Sequence, residues 1–328
     1  MQTTMLRVLL CFLSIGQCLA VIPWKPIGCD DWSFQGKTIQ DIWDNAIELA
    51  TQAQSQIDLI PTTFSLKHSE AEKLSGANAH FMFNVNFRDH RGLDEAGQTT
   101  MSTVRTMYTD ILKGFAGTLK GLDVEDSFLF CGANGLEHTV VPGLLDTPVW
   151  HARFEHRDEN DPENVKTEYL ILRYASSVDY PEPCTEVTEI YTGKTLDVVR
   201  FVDNNDREFT GIILCPNVFA EATVNGEPRP IPVVPTLAKG FATEKKGSNK
   251  YPYAGDYNSI SGTLLHEMTH VVGRFRDKMK YPDPATGFQE GNELAKKDLA
   301  AALINPDTYR VFSEISMSPN TRWGMPDE

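Results

Sequence analysis

The sequence predicts an α+β fold, and three features of its 328 residues point there. Apolar residues recur at helical spacing from about Thr38 to Leu122. Short β-branched and aromatic runs separated by Asp, Asn, Pro and Gly fill the stretch from about Asp126 to Ala220. Helical spacing then returns over the last hundred residues.

In chain order, residues 1–20 come first. Arg7 precedes an apolar stretch, Val8 to Ile15, that is far below the ~20 residues a membrane span needs. The stretch reads as a signal peptide cut between Ala20 and Val21, which implies a secreted, extracellular protein. Ile39, Ile42, Trp43, Ala46, Ile47 and Ala50 then mark an amphipathic helix, and Met101 to Leu119 marks another. The segment around His80 to His90 carries no clear periodicity. Trp24, Trp32 and Trp43 are expected in the core. Residues 21–125 thus form a helical N-terminal region with room for a propeptide part, and 126–328 a second region that carries the chemistry.

In the middle, Phe128 to Cys131, Tyr169 to Tyr174, Val198 to Val202 and Gly211 to Cys215 read as strands. The acidic stretch Glu155 to Glu163 is expected as a solvated loop, and Val224 to Pro235 as a Pro-rich linker or edge segment. His138, His151 and His156 lack ligand spacing and read as surface or core histidines. Towards the end, a helix over Leu264 to Arg274 follows Ser261 and Thr263. Another runs from Phe288 or Gly291 to Ile304 and is stopped by Asn305 and Pro306.

Removing residues 1–20 leaves Cys29, Cys131, Cys184 and Cys215, which in an oxidising compartment read as two disulfides. Three pairings are open, of which Cys184 with Cys215 would enclose one strand-rich segment. No CxxC spacing supports a Cys-ligated metal. The formal charge is −15, or −16 once Arg7 leaves with the leader. Such acidity disfavours nucleic acid and anionic membranes as partners. There is no G-x-S-x-G and no Gly-rich phosphate loop, so neither serine hydrolysis nor nucleotide chemistry is indicated.

Chemistry concentrates in His266-Glu267-Met268-Thr269-His270. Residues four apart share a helix face, so both imidazoles can aim at one Zn²⁺, and Glu267 lies beside it as general base for a water. With eight His in the chain, chance expectation for H-E-x-x-H is only about 0.01. Leu264, Leu265, Met268, Val271 and Val272 supply the apolar face that would bury such a helix. A third protein ligand is required, with the fourth position left for water. The downstream carboxylates are Asp277, Asp283, Glu290, Glu293 and Asp298. Asp277 is only seven residues past His270, too soon for the chain to turn back. Glu290 stands where a thermolysin-type glutamate would, and Asp283 lies in a loop that could fold back on the helix.

HEMTH followed within about forty residues by Asn305-Pro306-Asp307-Thr308-Tyr309-Arg310-Val311-Phe312 resembles the deuterolysin, or aspzincin, metalloendopeptidases of fungi. Those enzymes carry HExTH, then GTxDxxYG, then a run like NADxYALF, and the LCPNVF run ending at Phe219 is similar to their CxPNVL-like segment. The resemblance covers residues 205 to 315 and implies a zincin-like fold, with a helical N-terminal lobe, a β-rich middle and C-terminal active-site helices. It implies a secreted zinc endopeptidase acting on protein or peptide. It also implies Asp283 as third ligand, ahead of Glu290 or Glu293. Here Lys280-Tyr281 replaces the family's Gly-Thr and Thr286 its Tyr, which leaves carbonyl polarisation to Tyr281 or Tyr309 if the fold brings either near the metal. The alternative is a non-catalytic secreted zinc-binding surface antigen of the zincophore type. Those proteins commonly show HRxxH, so the presence of Glu267 favours catalysis.

Overall fold

The computed structural model describes residues 21–30, 32–143, 148–158, 161–173, 184, 193–202, 205–215, 223–224, 227–228, 232–233, 235, 258–321 and 323. The expected signal peptide and half of the Pro-rich segment lie outside the described residues. The fold is mixed α and β.

Helix α1, Ile39–Leu59, starts at a capping box in which the Thr38 hydroxyl accepts from Asp41 N–H while the Asp41 carboxylate accepts from Thr38 N–H. Its buried face, Ile42, Trp43, Ala46, Leu49, Ala50, Ala53 and Ile57, follows the 3.6-residue period, and the helix stops before Pro61. Ser69 and Glu72 make a second capping box for α2, Glu70–Phe83, which ends at Asn84 in the left-handed region. The unassigned segment after His80 is therefore the end of α2 and a turn into a short hairpin at Phe87–Arg88 and Gly92–Leu93. Asp94 caps α3, Glu95–Phe115, which begins six residues earlier than the sequence pattern suggests.

Seven strands build one mixed sheet: β1 Lys25–Ile27, β2 Ser127–Cys131, β3 Glu137–Thr139, β4 Val149–Asp158, β5 Asp161–Arg173, β6 Gly193–Val202 and β7 Asn205–Leu214, in the spatial order β1-β2-β7-β6-β5-β4-β3. β1 and β7 flank β2 in parallel, and the other pairs are antiparallel. The period of two sorts the apolar residues between faces. Leu129, Cys131, Ile212 and Leu214 join the helical core, whereas Phe128, Phe130, Ile213 and Cys215 build a second cluster with Ala152, Leu170 and Leu172. The acidic stretch Glu155 to Glu163 is not a loop: paired strands run through Asp158 and from Asp161, forming the end of the β4–β5 hairpin.

The remaining helices complete the layer. α4, Ile260–Val272, is capped by the Ser259 hydroxyl, which accepts from Gly262 N–H at 2.9 Å, so it starts four residues ahead of the expected Leu264. The expected long helix to Ile304 is two, α5 Gly287–Lys297 and α6 Leu299–Ala302, because Asp298 leaves helical geometry and caps α6 instead. Asn305 and Pro306 do not only stop a helix. Pro306 sits in the first turn of α7, Pro306–Ser316, where its missing N–H is no loss.

One core unites the helices that precede and follow the strands. Trp43 of α1 is edge-on to Trp24 and Phe115, at 5.9 and 5.0 Å. The Tyr108 hydroxyl of α3 donates to the Tyr309 carbonyl of α7 at 2.7 Å. Gly114 lets α3 approach α4, since a Cβ there would meet Met268 Sδ at 2.6 Å. Trp24, Trp32 and Trp43 are all buried. No described helix is long and apolar enough to cross a membrane.

Both expected disulfides form, as Cys29–Cys131 and Cys184–Cys215, one on each face of the sheet. They close loops of 102 and 31 residues. Chain entropy alone assigns them about 4.7 and about 3.7 kcal/mol. Serine pairs at Cys29/Cys131 should therefore lower the denaturant-derived stability more than serine pairs at Cys184/Cys215. The reverse order would contradict the loop-closure account.

Candidate metal centre

α4 is apolar nearly all round, with Ile260, Leu264, Leu265, Met268, Val271 and Val272 withdrawn from water among α1, α3, α7 and the strands β6 and β7. Only the stripe through His266 and His270 is partly open. Their rings lie one turn apart with centroids at 4.9 Å and Nε2 atoms 3.2 Å apart.

After α4 the chain winds through a π turn, Gly273–Asp277, and reverses at Lys278 in the left-handed region. Tyr281 pins the returning strand. Its carbonyl accepts from His270 Nδ1 at 3.1 Å, and its hydroxyl donates to Asp277 and accepts from Arg276 at 2.8 Å. Its ring lies over Gly273 where no Cβ would fit. Asp283 follows between Pro282, whose own φ is fixed, and Pro284, which disfavours helical geometry at Asp283. Its carboxylate oxygens reach His266 Nε2 at 3.3 Å and His270 Nε2 at 3.2 Å. His266, His270 and Asp283 form a group that can hold a metal ion.

The outer contacts fix which ring nitrogens carry protons. A carbonyl only accepts, so Tyr281 O requires the proton on His270 Nδ1, and Asp307 Oδ1, 3.0 Å from His266 Nδ1, favours the same tautomer there. Both neutral Nε2 atoms then point lone pairs at one carboxylate and at each other. Such a cluster is repulsive unless a cation stands between its members. Protonation is the substitute when no metal is bound. Burial lowers the His266 pKa, but hydrogen bonds to Asp283 and Asp307 and the charge of Glu267 outweigh it and raise the value to about 10. Burial likewise pushes Asp283 up, but the two imidazoles hold it well below the usual carboxylate range.

Asp307, marked in the sequence only as part of the Asn305 to Phe312 run, touches the centre through His266. From the first turn of α7 it also accepts from Arg310 Nη2 at 2.9 Å and from Gly287 N–H. Arg310 donates onward to Glu314 at 2.8 Å, and Glu314 accepts from the Ser259 hydroxyl that caps α4 at 2.9 Å. Gly262 has no side chain because the Glu314 carboxylate fills that space. An Asp just after a helix-starting Pro was the available signal.

Glu267 is 4% exposed, its Oε1 stands 3.9 Å from His266 Nε2, and Oε2 accepts from the Thr195 hydroxyl of β6 at 2.9 Å. The other downstream carboxylates are engaged elsewhere. Glu290 caps Thr286, Glu293 pairs with Gln289, Asp277 with Arg276 and Asp298 with α6. Neither tyrosine offers its hydroxyl to the centre, since that of Tyr281 is bound to Asp277 and that of Tyr309 donates to Leu303 O. His138 stacks on Trp150, and buried His151 bonds Val149 O. The His156 side chain lies outside the described residues. No protein-family model, curated protein or solved structure matches this chain.

Asp283→Ala should abolish stoichiometric metal binding while Glu290→Ala retains it, and Asp307→Asn should weaken affinity about 10–100-fold in chelator competition. Undiminished binding by Asp283→Ala would remove this centre. Glu314 supplies a pH signature. Burial, with the Asp307 charge, raises its pKa to about 7 against the pull of Arg310 and Ser259. A raised acid stabilises the fold fully below its unfolded value, near 4.5, and loses that contribution as pH rises through about 7. Glu314→Gln should flatten this part of the stability–pH curve, read by thermal unfolding, and an unchanged slope would refute the assignment.

Proposed function

We propose that the protein is a secreted zinc-dependent endopeptidase. The observation that carries this reading is the return of Asp283 to the two histidines of HEMTH with the Glu267 carboxylate beside them. Zinc fits the donors present. Two imidazole nitrogens and one carboxylate oxygen suit Zn²⁺ better than Ca²⁺ or Mg²⁺, which prefer all-oxygen shells. Metal–ligand bonds of 2.0–2.1 Å in a tetrahedron place ligand atoms about 3.3 Å apart. The two Nε2 atoms are 3.2 Å apart, Asp283 sets Oδ1 3.3 Å from His266 and Oδ2 3.2 Å from His270, and one ligand atom from each residue lies within 4.8 Å of the other two. Three protein ligands also leave one position open, as in hydrolytic rather than structural sites. Asp283, whose side chain is 43% exposed, forms the side of the centre that faces solvent.

A zinc ion held there supplies Lewis acidity and brings the pKa of water to about 7. The chain's own residues supply the rest. Glu267 Oε1 takes the proton from the attacking water and returns it to the leaving amine. Asp307 and Tyr281 O hold the imidazoles in the ligating tautomer, so neither ring reorients during turnover. The low exposure of Glu267 keeps its carboxylate from being solvated away from that task.

The resemblance of HEMTH, Asp283 and the run from Asn305 to Phe312 to the deuterolysins supports the same reading, as do two disulfides that suit an oxidising compartment. A protein that only bound zinc would have no use for a carboxylate at position 267.

Glu267→Gln should retain zinc at the parent's stoichiometry and lose about 10²–10⁴-fold in peptide cleavage. A chelator should silence the parent chain, and added zinc should restore it. Equal cleavage by Glu267→Gln and parent, or cleavage indifferent to chelation, would overturn the reading.

A further inference from the structure

Glu267 is held at two points by one side chain from the sheet. Thr195 Oγ1 lies 2.9 Å from the Glu267 backbone carbonyl and 2.9 Å from its Oε2. We propose that Thr195 is a positioning residue that anchors Glu267 Oε2 and so turns Oε1 to the point where His266, His270 and Asp283 converge. Its catalytic consequence rests on the endopeptidase reading; the orientation itself does not.

The setting is rigid. Thr195 sits in β6 opposite Ile212 of β7, and Ile212 is fully buried in the core that also contains Leu264, Leu265 and Met268 of α4. The strand therefore cannot drift relative to the helix without opening that core. Threonine adds stiffness of its own, since a β-branched side chain in a strand has few χ1 choices. A glutamate, by contrast, has three side-chain torsions, and ordering them has an entropic cost. A hydroxyl bond to the carboxylate is charge-assisted and offsets part of that cost.

A purely structural strand-to-helix tie would need only the backbone carbonyl. The hydroxyl instead lies 2.9 Å from both that carbonyl and Oε2, so its proton is within reach of the carboxylate as well. With Oε2 occupied, the oxygen left for a water is Oε1, the one 3.9 Å from His266 Nε2. A base positioned in this way needs no search among rotamers before each proton transfer, and misplacement of such a group costs rate rather than binding.

The test uses the zinc-loaded secreted chain with Thr195→Val, which keeps the shape and removes the hydroxyl, and Thr195→Ser, which keeps the hydroxyl. The first readout is infrared. Subtracting the Glu267→Gln spectrum isolates the Glu267 carboxylate, and its antisymmetric–symmetric splitting should change in Thr195→Val and return in Thr195→Ser. The second is kinetic. Thr195→Val should retain zinc, keep KM within about twofold and lose about tenfold or more in kcat, with most of the rate regained in Thr195→Ser. An unchanged splitting in Thr195→Val overturns the proposal, as does a kcat equal to the parent's, or zinc loss in place of a kcat effect. If the parent cleaves no peptide, the endopeptidase reading fails by itself and the infrared arm decides the orientation of Glu267. Thr195→Ala carries the same test should the valine chain not be secreted.

Discussion

Six apolar side chains of the helix Ile260–Val272 are wholly withdrawn from water, each burial worth roughly 1.5–3 kcal/mol. They fix the helix against α1, α3, α7 and the sheet, and they leave one stripe for its polar groups. The two imidazoles and Glu267 must find partners within that stripe or cost several kcal/mol as stranded polar atoms. Every outer feature of the centre answers this demand. Tyr281 O meets one Nδ1, Asp307 meets the other, and Thr195 meets the Glu267 carboxylate. What remains is the inward pair of Nε2 atoms and Asp283, a group that could hold a metal ion.

The same reasoning explains the ionic chain along α7. Asp307, Arg310 and Glu314 occupy successive turns of one face, where only side chains three or four apart can meet. Two carboxylates share one guanidinium beside α4, and burial raises the Glu314 pKa to about 7. Removing Arg310 would leave both carboxylates buried without their cation, which is far costlier than the net worth of the pairs. Asp307 also sets a negative charge against the His266 ring. The cluster also ties the capped start of α4 to its first ligand through Ser259.

Much of this was legible in the sequence because it follows periodicity. The buried face of α1 and the two-histidine stripe of α4 came from spacing, and β2, β5, β6 and β7 were marked in part by β-branched and aromatic runs, whereas β3 and β4 were not. Asp283 was a candidate from its place in a loop that could fold back on the helix, but only the resemblance to a family motif ranked it ahead of Glu290. Helix starts were misplaced because Asp94 and Ser259 decide them, and a cap residue carries no periodic signal. The Glu155–Glu163 hairpin was read as a loop because charged side chains hid strands held by backbone pairing. Asp307 and Thr195 act across 41 and 72 residues of sequence, and contacts at that range leave no local pattern to read.

The loop that delivers Asp283 is set from its start. The chain reverses through the π turn and Lys278 at φ 56°. Tyr281 then anchors it, through its ring on Gly273, its hydroxyl on Asp277 and its carbonyl on His270. Prolines on both sides of Asp283 limit the backbone freedom of this stretch. The approach of Asp283 to the two histidines is therefore fixed by covalent restraint and by the contacts of Tyr281 together.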